Sequence, residues 1–119
     1  MIDQEMGWRG KIRLILPSVQ TVTEPLYNHV APGGVRFCAS RVLIQRNVLA
    51  DHDDMEREAF RAGRELATAR VDCIAYCCTG SGMLQGIEGD RQFCLEMEAE
   101  TGIPTTSTLS AVLESLDTL

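Results

Sequence analysis

The sequence has no apolar run near the roughly 20 residues that a membrane-spanning helix requires. It also has no cluster of basic residues, and its net charge of −6 argues against a nucleic-acid-binding surface. The first residues, MIDQEMGWRGK, contain no apolar segment of the kind found in a secretion signal. We therefore expect a cytoplasmic protein that binds neither a membrane nor nucleic acid.

No Cys-x-x-Cys pair occurs among the five cysteines, which are Cys38, Cys73, Cys77, Cys78 and Cys94. Zinc-binding domains usually contain such pairs, and the two histidines of this chain lie in other segments. An odd number of cysteines without a secretion signal indicates free thiols, some of which only fill the core. The sequence thus predicts neither a disulfide framework nor a metal site.

Four apolar, strand-like runs alternate with helix-like segments along the 119 residues. The predicted strands cover residues 11–16, 35–44, 71–76 and 103–106. The predicted helices begin after Thr23, cover about 51–69 and 90–101, and follow a cap at Ser107 or Thr108. This order predicts an α/β fold: a four-stranded parallel sheet flanked by helices, as in a flavodoxin-like or Rossmann-like lobe. We expect a single domain over residues 1–119, with residues 1–10 as an N-terminal extension.

The apolar pattern of each helix predicts which face it buries. Leu26 and Val30 are expected to face inward from the first helix. Asp90 is expected to cap the third helix, and Gly102 to end it. In the last helix, one apolar stripe is formed by Leu109, Val112, Leu113 and Leu116.

The segment 72–82, DCIAYCCTGSG, is an apolar run that ends abruptly in thiol, hydroxyl and glycine residues. Open α/β sheets bind ligands at the C-terminal ends of their strands, so these groups are expected at the binding edge. Adjacent strand residues point to opposite sides, and thus one of Cys77 and Cys78 should pack while the other faces the crevice. Cys78 is nearer the loop and is the better candidate nucleophile, since a following helix N-terminus would stabilise its thiolate.

The small residues Gly80-Ser81-Gly82 either present N–H groups to an anion or form a simple turn. The segment lacks the Gly-x-x-x-x-Gly-Lys-Ser/Thr pattern of a nucleotide-binding P-loop. The same sheet edge gathers hydroxyl and amide side chains from the other strand ends, including Ser18 and Gln20, with few carboxylates. Such an edge suits a small carboxylate held by N–H and O–H donors.

Three segments of the chain resemble the maleate cis-trans isomerase and arylmalonate decarboxylase family, within the aspartate/glutamate racemase superfamily. Residues 16–25, LPSVQTVTEP, are similar to the family's PSxNTxxExx opening. Residues 72–82 are similar to its DxIxYxCTSGS segment, and residues 101–108, TGIPTTST, to its TGIPxxTT segment. The three matches occur in the family's order and together cover nearly the whole chain.

The resemblance implies a cofactor-independent enzyme whose active site lies between two similar lobes, each with a cysteine position at a strand end. In the isomerases one cysteine adds to the double bond of maleate, and in the racemases two cysteines exchange a proton with the substrate. In the decarboxylases hydroxyl and N–H donors hold a carboxylate that becomes an enediolate. For this chain the resemblance implies isomerase, racemase or decarboxylase activity on a small mono- or dicarboxylate, most like that of maleate isomerase.

Carried onto this sequence, the resemblance makes Cys78 the catalytic cysteine. The residues expected to bind the substrate carboxylate are Thr79, Gly80, Ser81, Ser18 and Gln20. Gly80 stands where the family pattern has serine, and Gln20 stands where it has asparagine, so the identity of the substrate stays open.

The resemblance covers the N-terminal lobe alone, so the second cysteine has no counterpart in this sequence. A homodimer or higher oligomer would bring two copies of Cys78 face to face, or a partner chain would supply the second lobe. A truncated product that keeps the fold without activity is the third explanation. The alternative to an enzyme is therefore a catalytically incomplete half-lobe that binds a small anion or serves as one subunit of an assembly.

Overall fold

The computed structural model describes residues 6–46 and 49–119, in which strands and helices alternate. The strands are β1 (Gly10–Pro17), β2 (Val35–Val42), β3 (Cys73–Tyr76) and β4 (Thr105–Ser107). The helices are α1 (Thr23–Val30), α2 (Leu49–Ala67), α3 (Thr79–Thr101) and α4 (Thr108–Asp117). The predicted α/β class is confirmed. Half of the predicted N-terminal extension, residues 1–5, lies outside the described residues.

All four strands pair in parallel, in the order β2-β1-β3-β4. Strand β1 is central, and its residues Leu14, Ile15 and Leu16 are fully buried. Such a continuous apolar run is typical of a strand covered on both faces of a parallel sheet. Because β1 has β2 on one side and β3 on the other, the strand order reverses at β1. A crevice forms at such a reversal, beyond the C-terminal ends of β1 and β3.

Helices α2 and α3 pack together over one face of the sheet. The aromatic rings of Phe60 and Phe93 lie 5.1 Å apart, and those of Tyr76 and Phe93 lie 4.5 Å apart. At the crossing, a Cβ placed on Gly63 would overlap the sulfur of Met97. A larger residue at this position of α2 would therefore force the end of the buried Met97 side chain to move.

Helix α3 begins at Thr79, before the predicted start near Asp90, and is broken at Gly86, so the prediction found only the second of its two helical parts. Its first part is hard to recognise from sequence because Gly86 interrupts the helix with φ 77° and ψ 176°. The residues proposed as a loop, Gly80-Ser81-Gly82, form the first turn of this helix. At the other end, Gly102 adopts the left-handed conformation (φ 73°, ψ 12°), which confirms the predicted helix stop.

Helices α1 and α4, both described over their full length, bury none of their residues. The inward orientation predicted for Leu26 and Val30 is wrong, since 49% and 65% of their surfaces are exposed. Helix α1 is instead fastened to β2 by Asn28, whose side chain makes two hydrogen bonds with the backbone of Phe37. Within the described ranges, no helix combines the length and the apolar character needed to cross a membrane.

Candidate active site

The C-terminal ends of the strands form one edge of the sheet. Tyr76 of β3 pairs with Ile15 of β1 on one side and with Ser107 of β4 on the other. Directly after Tyr76, the backbone N–H of Cys77 donates to the carbonyl of Ile15 at 2.9 Å. This alignment brings the segments that follow the strands to the same edge, where the predicted site residues lie.

A cavity of about 660 Å³ opens at this edge. Its wall is formed by residues 17, 19–22, 44–46, 52 and 77–80. This volume is typical of small-molecule sites in proteins. The structure therefore brings four of the predicted site residues together in the wall: Gln20, Cys78, Thr79 and Gly80.

Ser18 and Ser81, the other two predicted site residues, do not line the cavity. The Ser18 hydroxyl donates to the carbonyl of Ile44 (3.3 Å) and accepts from its N–H (3.1 Å). Ser81 is fully buried, and its hydroxyl donates to the Glu56 carboxylate at 3.2 Å. Both hydroxyls therefore connect the segments that carry the cavity wall.

Gln20 both lines the cavity and caps helix α1. Its side-chain oxygen accepts hydrogen bonds from the backbone N–H groups of Val22 (2.8 Å) and Thr23 (3.1 Å). Its backbone carbonyl accepts from the guanidinium of Arg41. These contacts hold the loop after β1 in place, and the side-chain NH₂ group takes no part in them.

Cys78 is the residue that precedes helix α3, and 8% of its surface is exposed. Burial raises the pKa of the Cys78 thiol above its ordinary value. The backbone N–H groups of Ser81 and Gly80, at the start of the helix, lower that pKa to a smaller extent. Loss of the proton therefore requires an acceptor close to the sulfur.

Cys77 also lines the cavity and is less buried than Cys78. The expectation that one thiol packs in the core while the other faces the crevice therefore does not describe this pair. Burial raises the pKa of Cys77 to about 11, and its thiol donates to the carbonyl of Ala75 at 3.6 Å. Cys77 is thus less easily ionised, and its proton already has a backbone acceptor.

His52 is a site residue that the sequence analysis missed. Its Nδ1 atom lies 3.9 Å from the Cys78 sulfur, and only 2% of the residue is exposed. His52 belongs to the first turn of α2, which follows the C-terminal end of β2 in the chain. This position in the sequence could have identified His52 as a candidate, because the first turn of a helix that follows a parallel strand lies at the ligand-binding edge.

Charged groups surround the thiol and the imidazole. Glu56 lies one turn after His52. Burial raises the pKa of the Glu56 carboxyl, and hydrogen bonds from Gln85 and Ser81 lower it to a smaller extent. At the cavity wall, Arg46 forms an ion pair with Asp51 at 2.9 Å. The Arg46 guanidinium holds the pKa of Asp51 below its usual range. The cavity wall therefore carries a guanidinium that is paired with a carboxylate.

No protein-family model matches the sequence, and no curated protein matches it closely enough to identify a relative. The fold, in contrast, matches solved structures. The maleate isomerase of Pseudomonas putida has a TM-score of 0.78 with 22% identity, over 91% of this chain and 48% of that enzyme. A mutant of the Nocardia farcinica maleate cis-trans isomerase, with a covalently bound succinylcysteine intermediate, has a TM-score of 0.78 with 20% identity, over 91% of this chain and 48% of that enzyme.

A mutant of arylmalonate decarboxylase in a liganded form is also similar. It has a TM-score of 0.82 with 21% identity, over 92% of this chain and 46% of the decarboxylase. The chain thus has the fold of half of these enzymes and spans about half their length. The resemblance expected from the three sequence motifs is confirmed at the level of the fold.

Proposed function

We propose that this protein is a cofactor-independent cis-trans isomerase of a small dicarboxylate, most like a maleate isomerase, with Cys78 as the nucleophile. The observation that carries this proposal is the position of Cys78 at the start of α3, in a cavity at the C-terminal edge of the sheet. The Nocardia farcinica enzyme supports it, because a succinylcysteine intermediate forms in that protein and its fold is similar.

The reaction needs no redox change and no cofactor. The Cys78 thiol adds across the double bond of maleate, so that sulfur bonds to one carbon and the thiol proton is placed on its neighbour. The former double bond is now a single bond and rotates. Elimination then breaks the S–C bond, removes a proton from the neighbouring carbon, and returns fumarate and the free thiol.

The cavity wall contains suitable donors for the substrate carboxylates. Thr79 and Gly80 line the cavity at the N-terminus of α3, where backbone N–H groups favour an anion. Arg46 adds a guanidinium, which is paired with Asp51, and Gln20 adds an amide. In this proposal Ser18 and Ser81 act indirectly, by holding the segments that carry these donors.

We propose that the partner is a second copy of this chain, which covers the open cavity. Val19 and Val22 line the cavity, yet 72% and 62% of their surfaces are exposed. Leu43, between the end of β2 and the cavity wall, is 65% exposed. Apolar side chains around an open polar site favour burial against another protein surface. A two-fold axis over the cavity would place the two copies of Cys78 opposite each other.

Light scattering of the purified protein tests this assembly, and the expected mass is twice the 13.1 kDa of one chain. Replacing Val22 with Asp is expected to shift the protein toward the monomer, because the new carboxylate would lie in an apolar interface. Leu95→Asp is the matched control, since Leu95 is 54% exposed and lies in α3, outside the cavity wall. A monomeric mass for the unmodified protein would contradict the homodimer.

The activity is tested by proton NMR of maleate incubated with the protein. We expect fumarate to accumulate, and mass spectrometry to find a succinyl adduct on Cys78. Decarboxylation of an arylmalonate is assayed in parallel, because an arylmalonate decarboxylase has a similar fold. Racemisation of aspartate is also assayed, because the sequence motifs resemble those of the racemase superfamily. Binding of these carboxylates without turnover or adduct would instead support the anion-binding half-lobe.

A further inference from the structure

Among the residues that the structure describes, the His52 side chain lies within hydrogen-bonding distance of the Cys78 thiol and can accept its proton. His52 Nδ1 lies 3.9 Å from the sulfur, within the range of a sulfur hydrogen bond, and both residues line the same cavity. A thiol is a strong nucleophile only as its thiolate, and a neighbouring base supplies that form when burial favours the protonated thiol. Imidazole is suited to this role near neutral pH.

We propose that His52 is the acid–base partner of Cys78, so that this single lobe carries both the nucleophile and the group that moves its proton. The identity of the electrophile rests on the proposed function, whereas the pairing of His52 with Cys78 does not. In this arrangement Nδ1 is the unprotonated nitrogen, and Nε2 carries the ring hydrogen.

In this step, the addition of the sulfur to the double bond is coupled to transfer of the thiol proton. The sulfur electron pair forms the S–C bond, and the π electrons move onto the neighbouring carbon, next to its carboxylate. The thiol proton passes to Nδ1 and makes an imidazolium, which then delivers that proton to the carbanionic carbon. After rotation the sequence runs in reverse and restores the thiol and the neutral imidazole.

Glu56 is the competing base on the same helix. Its carboxylate accepts a hydrogen bond from the Ser81 hydroxyl, and its effect on Cys78 is electrostatic. A negative charge there disfavours the thiolate and favours an imidazolium nearby. The geometry therefore assigns the proton to His52 and an electrostatic role to Glu56.

The charges around the pair come from several elements. On α2, Asp51 precedes His52, and the interaction with His52 contributes to the lowered pKa of Asp51. Carboxylates thus lie on both sides of His52 along the helix, with Asp51 before it and Glu56 one turn after it. The charged and titratable groups that interact with Cys78 or His52 are Asp51 and Glu56 on α2 and Tyr76 and Cys77 before α3. Arg46 pairs with Asp51, and Asp53 and Asp90 act on Glu56.

Alkylation of Cys78 by iodoacetamide tests the pairing without any substrate. The rate is followed from pH 5 to 9, with Cys78 separated from Cys77 by fragment-ion mass spectrometry. We expect the alkylation rate of the unmodified protein to rise at a lower pH than a buried thiol without a base would allow, since burial alone raises the pKa of Cys78. In His52→Asn, which keeps a polar atom near the position of Nδ1, this rise is lost and the rate at pH 7 falls about tenfold or more.

His29→Asn is the matched control, since His29 is the other histidine of the chain and is exposed on α1. It should leave the profile unchanged. Loss of the fold in His52→Asn would expose Cys78 and raise its alkylation rate, which is opposite to the expected change. Circular dichroism of each variant establishes the folded state.

Identical profiles for the unmodified protein and His52→Asn would overturn the proposal. So would a profile that is flattened by Glu56→Gln and left intact by His52→Asn, because Glu56 would then be the base. If the protein makes no fumarate but shows the His52-dependent rise, the pairing stands and the substrate assignment fails. If fumarate forms and the two profiles coincide, the substrate assignment stands and the pairing fails.

Discussion

Replacement of Cys78 by serine is expected to lower the rate of maleate isomerisation by about 10³-fold or more, as is usual when a catalytic nucleophile is removed. A serine hydroxyl has nearly the volume of the thiol but is a far weaker nucleophile at neutral pH. Because Cys78 packs in the core with 8% of its surface exposed, the small change should keep the fold. Fumarate formation measured by NMR, together with the thermal midpoint of unfolding, checks both expectations.

Cys38→Ser is the control for this experiment, because Cys38 is exposed on β2 and does not line the cavity. Its activity should equal that of the unmodified protein. Activity that persists in Cys78→Ser and is lost in Cys77→Ser would assign the chemistry to the neighbouring sulfur. That result would contradict the proposed mechanism, although not the location of the site.

Asp90→Ala is expected to lower the free energy of unfolding by about 3 kcal/mol, the loss typical of a buried carboxylate with two hydrogen bonds. Only 5% of Asp90 is exposed, and its carboxylate accepts from the hydroxyls of Ser107 (2.6 Å) and Ser110 (2.8 Å). Ser107 in turn caps α4 by accepting from the backbone N–H of Ser110 at 3.0 Å. The substitution removes the acceptor that joins α3, β4 and α4, and urea denaturation measures the loss.

Asp117→Ala serves as the comparison, since Asp117 is exposed at the end of α4. Exposed substitutions of this kind usually change the free energy of unfolding by less than about 0.5 kcal/mol. Equal stability of the Asp90 and Asp117 variants would show that the buried hydrogen bonds do not stabilise the junction between α3 and α4.

The fold class was readable from the sequence because parallel α/β proteins have a strong local signature. The apolar run of β1 and the helix stop at Gly102 are both local patterns, and both are confirmed. The start of α3 was missed because its first part contains several glycines and is interrupted at Gly86. Helical periodicity cannot be recognised where the side chains that would reveal it are absent.

The faces of α1 and α4 show a different limit of sequence analysis. Apolar spacing predicts which residues of a helix share a face, but not whether that face meets the core or another molecule. Leu26 and Val30 share a face of α1 and are exposed. Val112 and Leu116 in α4 are likewise 48% and 60% exposed.

For the candidate site, the sequence by itself determined the edge of the sheet and the segment that carries Cys78. Strand direction alone places the end of β3 at the binding edge, and the residue types there indicate carboxylate chemistry. The tertiary structure decided which side chains meet. It directs the hydroxyls of Ser18 and Ser81 into the protein, and it brings His52 to 3.9 Å from the Cys78 sulfur.

The physical reason lies in the separation of these groups along the chain. His52 and Cys78 are 26 residues apart, so their contact depends on how α2 packs across the sheet. That packing is set by buried contacts such as Gly63 against Met97, whose geometry no local pattern encodes. Local sequence thus determined the elements and the reactive edge, and close packing of the helices decided the partner of the thiol.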